Sequence, residues 1–233
     1  MPTVQVSPYN VGSAYALTTG YRGPVSTWAG VRNATSGTGV QQSNPGIRVS
    51  AVAGARGTNY NLSRLWMWFD TSAYSSITAL TLNISCLVSP TVTFDIQVVE
   101  GDGFNNNTNT TLTTAEFNDL DFNNAYLNGA GAWNNIAGLN SYTLNSAAVT
   151  DINANSKLGI CVINEQWDYQ DVDPFSGVGF DWGNYVDFAN PSKTNLAITY
   201  TSGYGNEVNG VASADIGEVN GVSTGDISEI NGI

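Results

Sequence analysis

The sequence predicts an all-β protein: a jelly-roll β-sandwich with an N-terminal arm and a C-terminal tail built on an 11-residue repeat. Several segments alternate apolar and polar residues with the two-residue period of a half-buried strand. Turn residues separate these segments. A helical pattern is almost absent. The length of 233 residues suits a single all-β domain or two small domains.

The N-terminal segment, residues 1–60, is rich in Gly, Ser, Thr and Ala and poor in large aliphatic residues. Prolines interrupt it at several points. We predict short strands at Thr3–Ser7, Thr27–Arg32 and Ile47–Val52, with loops between them. This segment is therefore expected to form an arm or the early strands of the fold.

The strongest strand patterns lie in residues 61–202, which we predict to be the jelly-roll β-sandwich. Arg64–Asp70 is apolar and aromatic on both faces, which suits a central strand covered on both sides. Ala79–Val88 and Thr91–Glu100 alternate regularly, and Pro90 separates them. Further strands are predicted at Ser141–Leu144, Lys157–Asn164, Gly177–Asp181 and Asn195–Thr201.

Two short segments, Thr113–Leu120 and Ala147–Asn153, have the composition of a helical turn or two. Thr114 and Ser146 are the predicted N-terminal caps, because a hydroxyl side chain can accept a hydrogen bond from a free backbone N–H.

The stretch Arg64–Ser72 followed by Ile77–Ile84 is similar to the opening of the extracellular jelly-roll modules named after a DNRLRE motif. Leu112–Asn118 and Pro191–Tyr200 follow in the order found in those modules. The resemblance covers roughly residues 60–201. It implies a jelly roll like that of carbohydrate-binding modules, which occurs in secreted, surface and phage structural proteins.

The composition excludes several kinds of chemistry. The chain has no histidine, so Ser-His-Asp and Cys-His catalysis and histidine-ligated zinc are excluded. A net charge of -12 opposes binding to nucleic-acid phosphates. Cys86 and Cys161 are too few for a disulfide framework, and each lies on an apolar strand face, so both are predicted to be buried free thiols.

The charge is distributed unevenly along the chain. Residues 1–69 contain no acidic residue, and all 19 acids lie from Asp70 onward. One interpretation is drift in a chain rich in Ser, Thr, Asn and Gly. The other is that the arginine segment lies across an acidic surface of its own subunit or of a neighbour. Its arginines are Arg22, Arg32, Arg48, Arg56 and Arg64.

One dense group of carboxylates is interleaved with aromatic residues, as in a sugar-binding rim. It could be a structural loop, a contact for a glycan or partner, a structural calcium site, or a glycosidase-like carboxylate pair. The spacing matches no EF-hand loop, and no other cofactor is expected. The candidate ligand-binding residues are Trp167, Asp168, Tyr169, Asp171, Asp173 and Trp182.

The C-terminal tail, residues 203–233, repeats with a period of 11 at Glu207–Val211, Glu218–Val222 and Glu229–Ile233. Asn-Gly pairs favour tight turns, so each unit is predicted to be a short strand and a turn. The tail could wind with two other chains into a stalk, add strands to a partner, or be disordered. The candidate assembly residues are Val208, Asn209, Gly210, Val211, Val219, Asn220, Gly221, Val222, Ile230, Asn231, Gly232 and Ile233.

The start of the chain, MPTVQVSPYN, has no signal-peptide pattern, and no apolar run is long enough to insert into a membrane. The composition is nevertheless that of an extracellular β protein. We therefore expect a non-enzymatic virion protein of a tailed phage: a capsid-decoration, head-fibre or tail-fibre subunit. Its expected partners are two further copies in a homotrimer, other virion proteins and a host-surface glycan. The alternatives are a carbohydrate-binding module or adhesin on a bacterial surface and an acidic glycoside-active enzyme.

Overall fold

The computed structural model shows an all-β architecture in which all the described strand pairs are antiparallel. The described residues are 1–17, 27–42, 48–53, 60–88, 95–101, 111–133, 138–174, 184–186, 194–201, 218–219 and 222–223.

The strands are β1 Thr3–Val6, β2 Asn10–Leu17, β3 Gly39–Gln41, β4 Arg48–Ala53, β5 Tyr60–Asp70, β6 Ile77–Val88, β7 Asp95–Gly101, β8 Leu120–Ala125, β9 Gly131–Ala132, β10 Gly138–Thr143, β11 Lys157–Asn164, β12 Asn184–Val186, β13 Asn195–Tyr200, β14 Glu218–Val219 and β15 Val222–Ser223. The helical elements are α1 Trp28–Arg32, a 3₁₀ helix at Thr114–Asn118, α2 Ser146–Asn155 and a π-helix at Glu165–Tyr169. No described helix has the length and apolar character needed to cross a membrane.

The strands of residues 1–201 form two sheets. In the first, β6 lies at the centre, with β13 and then β1 on one side and β10 on the other. In the second, β5 pairs with β2 along one edge and with β11 along the other, and β7 and β8 follow β11. β4 pairs with β5 and β12, and β12 pairs with β6, so these two strands join the sheets.

β5 explains the two hydrophobic clusters, because its successive side chains point to opposite faces. Leu65, Met67 and Phe69 enter an inner cluster that contains residues of both sheets, the arrangement of a β-sandwich. Trp66 and Trp68 enter an outer cluster, which covers the other face of the second sheet. The prediction that this strand is central and buried on both sides is confirmed.

The outer cluster is covered by the short helical elements. The side chains Trp28 and Val31 of α1, Phe117 of the 3₁₀ helix and Trp167 of the π-helix all pack against it. Each of these elements contributes one or two large side chains to the cluster. This layer carries the candidate site described below.

Most predicted strands are found with small shifts at their ends. Lys157–Asn164 has the predicted bounds, and β5, β6, β7 and β10 overlap their predicted segments. Gly177–Asp181 lies outside the described residues. The sequence does not predict strands β2, β3, β8, β9 and β12. β2 has too many small residues to alternate clearly, yet it pairs with β5 along its whole length.

The predicted strand at Thr27–Arg32 is wrong, because these residues form α1. The side chain of Thr27 accepts a hydrogen bond from the backbone N–H of Gly30 and starts the helix. Trp28 and Val31, three residues apart, then share one buried helical face.

Both predicted helix caps are also displaced by one residue. Thr113 rather than Thr114 caps the 3₁₀ helix, and Asn145 rather than Ser146 caps α2. In each case the residue just before the predicted cap has the extended backbone that capping requires.

Strands of residues 1–60 belong to both sheets. β1 pairs with β13 in the first sheet, and β2 and β4 pair with β5 in the second. The N-terminal segment therefore supplies early strands to the sheets formed by residues 61–202.

In the tail, β14 and β15 form a separate two-stranded antiparallel sheet. Glu218 pairs with Ser223 and Val219 pairs with Val222. The tight turn predicted for the middle repeat unit stays a prediction, because Asn220 and Gly221 lie outside the described residues. The other two units lie outside the described residues.

Candidate functional site

The site is centred on Arg64, which projects from the outer face of β5. Its neighbours on this face, Leu62 and Trp66, are buried in the outer cluster, and the Arg64 side chain itself has no exposed surface. A buried guanidinium needs partners for its charge and for its N–H groups. The structure supplies both.

The main partner of Arg64 is Asp168 of the π-helix. Nε of Arg64 donates to Oδ2 of Asp168, and Nη2 donates to Oδ1, each at 2.8 Å. The Asp168 side chain is also completely buried. The two groups form a bidentate pair, the strongest geometry between a guanidinium and a carboxylate.

The remaining donors of Arg64 bind elements of the covering layer. Nη1 donates to the carbonyl of Phe117 at 2.8 Å and to Oδ1 of Asn118 at 3.2 Å, and Nη2 donates to the carbonyl of Arg32 at 2.8 Å. Each nitrogen of the guanidinium therefore has a partner. Arg64 connects α1, the 3₁₀ helix and the π-helix to β5.

A second arginine, Arg32 at the end of α1, contacts the same acidic segment. Its Nε donates to the backbone carbonyl of Asp168 at 2.6 Å. The same nitrogen lies 3.5 Å from Oδ1 of Asp171 and 3.7 Å from Oδ1 of Asp168. The structure thus places Arg32 and Arg64 against acidic residues of their own subunit, as the second interpretation of the charge distribution predicts.

Two phenylalanines complete the surroundings of the arginines. The guanidinium carbon of Arg64 lies 4.4 Å from the ring centroid of Phe117, and that of Arg32 lies 4.3 Å from the centroid of Phe122. Both distances are within the range of cation–π attraction. A capping box between Thr113 and Glu116 starts the 3₁₀ helix and so positions Phe117.

The π-helix brings Trp167 and Asp168 to the site. Oδ1 of Asn164 accepts a hydrogen bond of 2.8 Å from the backbone N–H of Trp167 and caps the element. The backbone N–H of Gln170 then donates to the carbonyl of Glu165, five residues earlier. The wider turn directs two consecutive side chains inward, and only 8% of Trp167 is exposed.

Asp173 extends the cluster toward Tyr60, at the start of β5. The Tyr60 hydroxyl donates to both carboxylate oxygens of Asp173, at 3.0 and 3.1 Å. Burial and the neighbouring Asp173 carboxylate raise the pKa of Tyr60. Both effects disfavour the phenolate, so the hydroxyl stays protonated as the donor.

Glu165 is a buried acid with an incomplete set of partners. Its Oε1 accepts a hydrogen bond from Gln170, while the buried Oε2 has none. Burial raises the pKa of Glu165, and the negative charge of Asp95 adds to this effect. Burial likewise raises the pKa of Cys161, the buried free thiol predicted from the sequence. The side chain of Cys86 lies outside the described residues.

The predicted ligand-binding residues do not share one exposed surface. Trp167 and Asp168 are buried, Tyr169 and Asp173 are half-buried, and the side chain of Asp171 is 51% exposed. Trp182 lies outside the described residues. The sequence identified the acids of this cluster but not their partners Tyr60, Arg32 and Arg64. The uneven distribution of charge along the chain was the signal that pointed to the two arginines.

A second polar cluster borders a pocket that is lined by residues of β7, α2 and β11 and by Tyr126, which follows β8. Nδ2 of Asn124 donates to Glu100 at 2.7 Å and to Asp151 at 3.0 Å, and the Tyr126 hydroxyl donates to Asp151 at 2.8 Å. Burial and these carboxylates raise the pKa of Tyr126. Lys157 also lines the pocket.

Within the described ranges, no group of three or more acidic or cysteine side chains could hold a metal ion. Calcium binding therefore stays a prediction. No protein-family model matches this sequence, and no curated protein matches it significantly.

Proposed function

We propose that this chain is a non-enzymatic structural subunit of a phage virion, such as a capsid-decoration, head-fibre or tail-fibre protein, and that it forms a homotrimer through its C-terminal tail. The observation that carries the proposal is the β14–β15 hairpin within a sequence repeated three times. Assembly is thus assigned to residues 203–233, and the sandwich is the body of the subunit.

The hairpin supports an assembly role because it is too small to be stable alone. Its two strands have two residues each and form a sheet separate from the sandwich. An isolated two-stranded hairpin is marginal in water even when it is longer. Units that recur every 11 residues gain stability by stacking against equivalent units, and further chains supply such units.

The candidate site supports a non-enzymatic role. Asp168 is fully engaged by Arg64 and is closed off from solvent. A catalytic acid or base must instead reach the proton of a substrate. The polar groups at the centre of this cluster hold the covering layer on β5, which is a structural task.

Native mass spectrometry of the full chain tests the trimer. We expect three subunits, or a multiple of three, for the full chain, and deletion of residues 203–233 should abolish this threefold assembly. The triple variant Val208→Ser, Val219→Ser and Ile230→Ser should also lose the threefold assembly. The control variant, Ser213→Ala, Ser223→Ala and Ser228→Ala, alters the same tail at polar positions and should keep it. A monomeric full chain would contradict the proposal.

Glycan attachment is a second candidate role, favoured by the side chains that remain accessible beside the buried pair. Tyr169, Asp171 and Asp173 together offer an aromatic ring and carboxylates for hydroxyl groups. A glycan array of the full chain tests this role, with Tyr169→Ala and Trp182→Ala as variants. An array that shows no signal removes it without affecting the assembly role.

A further inference from the structure

The edge strands of this protein differ in how well they are protected against pairing. Among the described sandwich strands, β1, β3, β8, β9 and β10 pair on one side only. β3 and β9 have three and two residues, β1 has four and lies between Pro2 and Pro8, and β8 carries the exposed Asp121. Short length, proline and charge are the usual protections of an edge. β10 has six residues and none of these protections.

The open edge of β10 offers regularly spaced backbone groups. The N–H of Leu144 donates to the carbonyl of Leu80, and Tyr142 lies opposite Leu82 in the same register. Residues of an antiparallel strand direct their backbone groups alternately to its two edges. Leu139, Ser141 and Thr143 therefore direct theirs away from β6, toward the open edge.

The side chains at these three positions are also accessible. Leu139, Ser141 and Thr143 are all exposed, and 55% of Leu139 is accessible to solvent. Leu139 is the one large apolar side chain exposed within a described strand. An unprotected edge beside an exposed leucine is the arrangement expected of a strand that pairs with another chain.

Charge favours a second copy of this chain as the partner. The strands β1, β13, β6 and β10 contain no Asp, Glu, Lys or Arg, although the whole chain has a net charge of -12. Two copies that approached through surfaces rich in Asp and Glu would bring carboxylates together, which costs free energy. Pairing at this edge therefore brings no charged side chain of these four strands next to a like charge, and it removes none of them from water.

We propose that β10 pairs antiparallel with β10 of a second copy, about a two-fold axis at Ser141. In this register Ser141 lies opposite Ser141 of the second copy, and Leu139 lies opposite its Thr143. The open backbone groups of all three positions are then paired, and the first sheet continues across both subunits. Such a contact is self-complementary and is independent of the tail.

Opposite charges at the two-fold position give a direct test. Ser141→Lys places two ammonium groups directly opposite each other, and Ser141→Glu does the same with two carboxylates. Each variant alone should have at least twofold fewer subunits per particle than the wild-type full chain, by light scattering after size-exclusion chromatography. An equimolar mixture of the two should recover the wild-type value. The controls, Gln5→Lys and Gln5→Glu, make the same charge changes on β1 and should have the wild-type mass.

The design separates this proposal from the tail trimer. If the tail also assembles, the wild-type particle contains both contacts, and Ser141→Lys removes the β10 contact alone. A wild-type chain that is only monomeric or trimeric, or a Ser141→Lys chain with unchanged mass, overturns the β10 contact and leaves the tail proposal to its own experiment.

A wild-type measurement covers the case in which the Ser141 variants fail to fold, since Ser141 Oγ also donates to Asn83 at 2.7 Å. Hydrogen exchange at the amides of Leu139, Ser141 and Thr143 should slow at least tenfold as protein concentration rises through the assembly range. Concentration-independent exchange at these amides would refute the pairing.

Discussion

Arg64 and Asp168 are 104 residues apart in the sequence and meet in a bidentate ion pair that is completely buried. The pair connects β5 to the π-helix, and Arg64 also binds the carbonyls of Phe117 and Arg32. One guanidinium therefore links all three helical elements of the covering layer to the second sheet.

Removing one partner of this pair should strongly destabilise the fold. Arg64→Met leaves the Asp168 carboxylate buried without its bidentate partner, with Arg32 as the remaining cation 3.7 Å away, and the expected loss in the free energy of unfolding is about 3–5 kcal/mol. Denaturant unfolding of the wild type and the variant measures this loss.

The double variant Arg64→Met with Asp168→Leu is the matched control for the pair. It removes both charges, so it should be more stable than Arg64→Met alone. If the loss of stability in the double variant equals the sum of the losses in the two single variants, the two charges are not coupled.

Gly101 should tolerate no side chain. A Cβ at this position would overlap the ring of Trp66 and lie 3.1 Å from Cβ of Cys161, and both neighbours are buried. We expect Gly101→Ala to cost about 1–3 kcal/mol in thermal or denaturant unfolding. Gly30→Ala is the control, because the nearest atom there is the Thr27 hydroxyl at 3.3 Å. Equal losses for the two variants would contradict this account of Gly101.

The cap of α2 is tested by two adjacent substitutions. Oδ1 of Asn145 accepts hydrogen bonds from the backbone N–H groups of Ala147 and Ala148. Asn145→Ala should reduce the free energy of unfolding by about 0.5–2 kcal/mol. Ser146→Ala alters an exposed residue inside the helix and should have little effect. A larger loss of stability for Ser146→Ala than for Asn145→Ala would instead support Ser146 as the cap, as the sequence predicts.

Glu165 makes stability depend on pH. Because its pKa is raised in the folded state, the folded protein binds the proton more tightly than the unfolded chain does. Its contribution therefore makes the fold more stable as pH falls through the raised pKa, and this gain is complete below the ordinary glutamate pKa. Glu165→Gln removes the buried charge, so it should raise the free energy of unfolding at pH 7. The difference from wild type should shrink as pH approaches 4; a pH-independent difference would exclude this titration.

The strands that could be predicted have an alternation strong enough to show in one sequence. Lys157–Asn164 was predicted with its observed bounds, and the apolar character of β5 on both faces indicated its central position. β2 was missed because its small residues alternate weakly, and it is stabilised by pairing with β5. The sequence predicts a strand at α1 because Trp28 and Val31 are compatible with either a strand or a helix. The helix forms because the fold provides a surface that covers the face on which both side chains lie.

Trp167, Asp168, Tyr169, Asp171 and Asp173 were identified from the sequence as candidate site residues, but their environment was not. Asp168 and Asp171 are three residues apart and have opposite environments, one completely buried and the other half-exposed. Nothing in their local sequence distinguishes them. The π-helix turns Asp168 toward Arg64, and that turn forms against the outer face of β5.

The sequence alone determined the all-β class, the buried central strand and the separation of arginines from acids along the chain. These properties follow from local alternation and composition, which each segment carries by itself. The tertiary structure decided which arginine meets which acid, which edge strand stays open and which aromatic side chains are covered. Those outcomes depend on contacts between segments far apart in the chain, and burial makes their charge pairing obligatory.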